Sequence, residues 1–233
     1  MSHTRFTVLA LFAIIAALSV TPVNAAIDTV NITHSSTYYS SATLNSPALG
    51  GSSGGGFYTG VYSWTINSAT GLGTAVPTWG FCIELPQASS DGTEDVIALS
   101  NAPQPPQYGT PMGGTRANAI SELWGRNFDS TWATGGNTQT AQAFSFAIWE
   151  IIYETDPTWN VISGAGFSTP DSTAAELANT WLGQLTGNSA YFAAGLVAIS
   201  SETGQDYVVQ IPEPATLSLL AIGAAALLRR RKS

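Results

Sequence analysis

Of all its segments, Thr140–Glu154 most constrains how this chain folds. Ala141, Phe144, Phe146, Ala147, Ile148, Trp149, Ile151 and Ile152 cover almost every side of a helical wheel. A helix that is apolar all round has to be enclosed by other elements. Two further stretches repeat at helical spacing. In Thr115–Phe128 the apolar positions are Ala117, Ile120, Leu123, Trp124 and Phe128. In Ser172–Leu185 they are Ala174, Leu177, Ala178, Trp181, Leu182 and Leu185, with Thr173 and Glu176 at capping-box spacing and Gly187 following as a stop.

Upstream of residue 115 the period is that of strands. Val30 and Ile32 alternate with Asn31 and Thr33, and Phe57–Ile66 is rich in Tyr, Val, Trp and Thr. Thr78–Leu85 reads as a strand buried at its centre, and Gln205–Ile211 as a last strand. Ser46–Gly56 is rich in glycine and serine and reads as a loop; Ala98–Gly114, with four prolines and three glycines, reads as another. Strands, then helices, then a strand predict an α+β domain with a mainly antiparallel sheet and about three helices in its second half.

The ends differ from this middle. Arg5, the apolar run Phe6–Val20 and the small residues Val23 and Ala25 predict a signal peptide over residues 1–25, cleaved between Ala25 and Ala26 after export by the Sec machinery. At the other end, Pro212-Glu213-Pro214 leads into an apolar stretch, Ala215–Leu228, and then Arg229, Arg230, Arg231 and Lys232. A helix over residues 215–228 would be about 21 Å long against a hydrocarbon core of about 30 Å. It predicts a single, thin membrane helix whose cations stay on the cytoplasmic side.

That tail resembles the PEP-CTERM sorting domain. The resemblance implies recognition by an exosortase, a membrane cysteine transpeptidase of Gram-negative bacteria that make exopolysaccharide. It assigns the sorting motif to Pro212, Glu213, Pro214, Arg229, Arg230 and Arg231. The same kind of tail is also known from some ice-binding proteins. It therefore speaks to destination: a precursor held transiently in the membrane, then the cell surface or the medium.

Between the ends, the domain over residues 26–210 is strongly acidic. Over residues 26–211, Arg116 and Arg126 stand against fourteen carboxylates, a net charge of −12. Such a surface repels nucleic acid and anionic lipid. Cys82 is the only cysteine, so no intramolecular disulfide is possible. The sequence has no HExxH, CxxC or P-loop pattern, and no cofactor or metal is implied. His34, just past a strand, reads as a surface residue. Asp91, Glu94 and Asp95 read as a solvated acidic turn, and Asn31-Ile32-Thr33 is a glycan-acceptor tripeptide.

One pair of segments carries a second resemblance. Phe81-Cys82-Ile83-Glu84 and Phe144-Ser145-Phe146-Ala147-Ile148-Trp149 are similar to the thioester domains of surface adhesins. There a strand cysteine and a helix glutamine close an internal thioester that captures amines. The resemblance implies Cys82 as the sulfur. Its glutamine position holds Ser145, leaving Gln142, one turn earlier on the same face, as the acyl donor. The sequence thus predicts a non-enzymatic envelope or extracellular-matrix protein, structural or adhesive, that meets exopolysaccharide or another surface ligand. A thioester adhesin reacting through Cys82 is one alternative. A carbohydrate- or ice-binding module is another, although the sequence shows no regular threonine repeat.

Overall fold

The computed structural model describes residues 29–35, 38–49, 51–70, 76–104, 110–156 and 158–211. The signal peptide, its Ala25–Ala26 cleavage site, Pro212–Pro214, the helix over 215–228 and the terminal cations lie outside them. Among the described residues, no helix is long and apolar enough to cross a membrane.

Seven strands form one antiparallel sheet: β1 (Thr29–His34), β2 (Tyr38–Ser46), β3 (Gly51–Ala69), β4 (Trp79–Cys82), β5 (Gly92–Ala98), β6 (Leu196–Ser200) and β7 (Tyr207–Gln210). Their order is β1-β5-β6-β7-β4-β3-β2, and β1 also pairs with β3. The six strands β1, β5, β6, β7, β4 and β3 close into a barrel, and within that ring each strand is paired on both sides. The long strand β3 runs past the barrel and makes a hairpin with β2. The helices are α1 (Gly113–Asn127), α2 (Thr138–Tyr153) and α3 (Ser172–Leu182). The expected α+β class and antiparallel sheet are thus present, and the sheet is a barrel.

Directly paired residues share a face of the sheet. The pairs His34↔Trp64, Tyr62↔Gly80, Cys82↔Tyr207, Ile199↔Tyr207, Val96↔Ile199 and Val30↔Glu94 therefore place one continuous set of side chains in the barrel interior. Gly80 is required there, because a Cβ would meet Trp64 at 2.8 Å and the Val208 carbonyl at 2.7 Å. The alternate residue Phe81 faces outward. It packs against Phe144 at 4.9 Å and Trp124 at 5.7 Å between ring centroids, joining barrel to helices. Every residue from Ala141 to Tyr153 is buried, as the all-round apolar pattern requires.

Several local expectations are corrected. The glycine- and serine-rich segment expected as a loop is mostly strand, because Gly51, Ser52 and Ser53 pair with Ser46, Asn45 and Leu44 through backbone bonds that need no apolar side chain. Strands β2 and β6 were not expected. The expected acidic turn is the start of β5, and strand alternation splits its members: Glu94 points inward and is 4% exposed, while Asp95 is exposed. Helix α3 is capped by Asp171, which accepts from the Ala174 N–H, rather than by Thr173, and it ends at Leu182, ahead of Gly187.

Candidate functional site

One end of the barrel collects polar residues that are remote in the sequence: His34 from β1, Asp91 ahead of β5, Cys82 and Glu84 from β4 and its continuation, and Asp206 and Tyr207 leading β7. The His34 N–H donates to Asp91 Oδ1 at 2.8 Å, and its ring Nδ1 lies 3.4 Å from the same oxygen. On the other side of the ring, Nε2 is 3.0 Å from the Tyr207 hydroxyl. That hydroxyl is also 3.0 Å from Ser89 Oγ and 3.2 Å from Gln205 Oε1. A hydrogen-bonded chain thus runs from exposed Asp91 through His34 and buried Tyr207 to exposed Ser89.

His34 is therefore not the surface residue expected. Its strand partner is Trp64, which turns the ring inward, and the side chain is only 16% exposed. Its ring centroid lies 5.5 Å from that of Tyr207 and 6.1 Å from that of Trp64.

Behind this chain the groups are dry. Cys82 is fully buried; its Sγ donates to the Glu84 carbonyl at 3.1 Å and accepts from the Glu84 N–H at 3.3 Å. Burial pushes the thiol far above its ordinary range, against the lowering effect of the Glu84 backbone bond. Burial likewise pushes the Tyr207 phenol up. Glu84 Oε2 accepts from the Asp206 N–H at 3.3 Å and Oε1 from Gln87 Nε2 at 2.9 Å. The Asp206 carboxylate accepts from the Ser201 N–H at 2.8 Å and Ser200 Oγ at 3.2 Å. Burial, with a further push from the charge of Glu84, still raises it to about 7. Glu94 is raised by burial too, and its Oε2 has no hydrogen-bond partner.

The Cys82 thiol and the Tyr207 phenol sit behind a histidine whose two ring nitrogens touch a surface carboxylate and a buried hydroxyl. Burial strongly disfavours a Cys82 thiolate. Among the described residues, no group of three His, Cys, Asp or Glu side chains is arranged to hold a metal.

The helix side of the thioester resemblance lies on α2. Ser145 Oγ accepts from the Gly60 N–H at 2.8 Å. Because Val61 pairs with Phe81, Gly60 stands beside the level of Cys82. Position 145 thus touches the strand adjoining the cysteine, with a hydroxyl, while the Cys82 sulfur is hydrogen-bonded to the Glu84 backbone. Gln142 is 3% exposed and its Nε2 has no hydrogen-bond partner. The Trp149 Nε1–H donates to the Cys82 carbonyl at 2.9 Å, so the Ala-Ile-Trp helix anchors the cysteine strand directly.

The sequence brought forward Cys82, His34, Asp91 and Glu94 separately, and the barrel gathers them at one end. It did not bring forward Glu84, Asp206 or Tyr207. The available signal was a carboxylate inside or beside an apolar strand, which only pays its desolvation cost when partners await it. On the outer face, Asn31 Nδ2 donates to Thr93 Oγ1 at 2.9 Å, while Asn67 Nδ2 donates to Asn31 Oδ1 at 2.8 Å and Thr33 Oγ1 at 3.0 Å. The amide of the glycan-acceptor tripeptide is thus tied into a polar ladder across three strands.

The last strand leads out of the barrel at the opposite end. Gln210 Oε1 accepts from the Trp124 Nε1–H at 3.0 Å, Gln210 Nε2 donates to the Ala194 carbonyl at 3.0 Å, and the Ile211 N–H donates to the Gly195 carbonyl at 2.8 Å. A family model described as the PEP-CTERM protein-sorting motif matches residues 210–232, beginning at the final residue of β7. No curated protein and no solved structure matches the chain.

Proposed function

We propose, from a PEP-CTERM sorting motif set directly behind the last barrel strand, that this is an exported cell-envelope or extracellular-matrix protein with a non-enzymatic, structural or adhesive role. The motif supports export and sorting through an exosortase. The observation that carries the role is the position of the motif: it starts where β7 ends, so every barrel strand precedes it. Removal of the tail near Pro212–Pro214 leaves the barrel and its hydrogen bonds whole. The tail inserts through residues 215–228, and the cost of pulling Arg229–Lys232 through the bilayer halts it. The acidic domain is then outside, where its charge keeps it soluble among anionic polymers. The test is fractionation in a host with the matching exosortase. Full-length protein is expected first in the membrane, and deletion of Pro212–Ser233 is expected to send the domain to the medium. Identical partitioning of the two, with mature protein that retains Ser233, sinks the proposal.

A second reading, a thioester adhesin, is favoured by one observation: the buried Gln142 amide whose nitrogen has no partner. Loss of one ammonia from the intact mass, restored as an adduct by a small amine, would establish it.

A further inference from the structure

Both ends of the barrel sequence leave from one rim. Strands β1 and β7 run in opposite directions, so the start of β1 and the end of β7 lie at the same end, with the start of β6 and the end of β3. Thr70 and Thr29 bond each other there, and Ile211 is bound to Gly195. The His34–Tyr207 end is the other one. From this arrangement, and resting on the proposal that the tail is anchored through residues 215–228, we infer that the rim formed by Thr29, Thr70, Gly195 and Ile211, flanked by Tyr191, is a docking face for the phospholipid surface.

The reach of the chain requires proximity. From Ile211, fixed to the barrel, to Ala215, the first apolar tail residue, the chain spans at most about 14 Å. Each headgroup layer is itself about 5–8 Å thick. The rim of an anchored domain therefore rests on or just above the headgroups.

The charge distribution fits that position. In a domain of net charge −12, residues 57–83 and 177–201 contain no Asp, Glu, Lys or Arg. They supply the rim residues of β3 and β6 and the segment leading into β6; the acids beside the rim are Asp28, just ahead of β1, and exposed Asp95, the strand partner of Thr29. Glu84, Asp91, Glu202 and Asp206 belong to the opposite end, so more of the barrel's acids lie away from the rim than beside it, and repulsion from an anionic bilayer favours the rim-down orientation. Tyr191 is 46% exposed, and Arg126, one of the two cations over residues 26–211, stacks on its ring at 3.5 Å. Segment 191–193 is held at this flank through Ser121, whose carbonyl accepts from the Ala193 N–H at 3.0 Å. A tyrosine backed by an arginine suits the headgroup layer, where an apolar ring and a polar tip are both satisfied. The same seating presents the His34–Tyr207 end away from the membrane.

The test uses full-length protein bound to phosphatidylethanolamine–phosphatidylglycerol vesicles and carrying an environment-sensitive fluorophore on Tyr191→Cys or on Glu202→Cys. Cys82 is buried, and the unsubstituted protein serves as the labelling control. The expected result is a blue shift and strong quenching by brominated lipid at position 191, with neither at position 202. Proteins that float with the vesicles but show equal, weak quenching at both positions overturn the docking face and leave tail anchoring standing. Proteins that do not float overturn tail anchoring, and the docking face with it.

Discussion

Ser145 on α2 binds the backbone of Gly60 on β3, accepting its N–H at 2.8 Å. Gly60 is buried and holds φ +96, a conformation that suits glycine, at the point where β3 leaves β4 and continues into the hairpin with β2. The bond ties the central helix to the barrel where the strand changes partners. Ser145→Ala leaves that N–H buried and unpaired, so it is expected to cost about 1–3 kcal/mol. Urea denaturation measures this, and an unchanged midpoint would show that the contact contributes nothing.

Cys82 is enclosed, and its sulfur is hydrogen-bonded on both sides by Glu84. A thiol reagent is expected to leave the native protein unmodified and to add one equivalent after denaturation. The intact mass is expected to equal that of the unmodified polypeptide. A native mass lower by one ammonia would reverse the order of the two functional readings.

Stability should fall as the pH rises through neutrality. Burial raises Glu150 to about 8, with a smaller push from Glu154, and raises Asp206 to about 7. A carboxyl raised in the folded state keeps its proton longer than in the unfolded chain. Its contribution is full below the unfolded value, about 4, and is lost as pH rises through the folded value. For each group the loss is on the order of 4 kcal/mol at most. In Glu154, burial opposes ionisation, but the N–H groups of Asp156, Gly166 and Thr155 outweigh it and hold the carboxyl low; that contribution is lost as pH falls through its folded value. Thermal melting is therefore expected at a higher temperature at pH 5 than at pH 8. Asp206→Asn and Glu150→Gln should each flatten the difference, and equal melting at the two pH values in the parent would refute the assignment.

Glu122 and Arg126 form a charged clamp one helical turn apart. Glu122 Oε1 accepts from Arg126 Nη2 at 2.7 Å and Nε at 2.9 Å, and Oε2 accepts from the Gly187 N–H at 2.7 Å. Burial works against ionisation of Glu122, yet Arg126 and the Thr186 and Gly187 N–H groups hold it below the usual carboxylate range. Arg126→Ala removes the cation but leaves the Thr186 and Gly187 N–H donors on Glu122, and is expected to cost about 1–3 kcal/mol. Glu122→Gln combined with Arg126→Met should cost less than Arg126→Ala alone, as chemical denaturation of both variants will show.

By itself the sequence determined much of what had to be inside, and the element type of the apolar runs that became α1, α2, α3, β1, β4 and β7, but not that of the apolar run that became β6. The fully enclosed α2, the apolar faces of α1 and α3, the burial of Cys82 and the sorting tail all follow from side-chain character over a few neighbouring residues. Tertiary structure alone decided which strands pair. Closure of β1 onto both β3 and β5, the pairing of a glycine-rich segment with β2, and the inward turn of His34 and Glu94 depend on register between segments tens of residues apart. Strand pairing is made by backbone groups that every residue carries, so composition leaves little trace of it. The side chains that meet at the His34–Tyr207 end, and the common rim from which both ends of the barrel sequence depart, follow from that pairing.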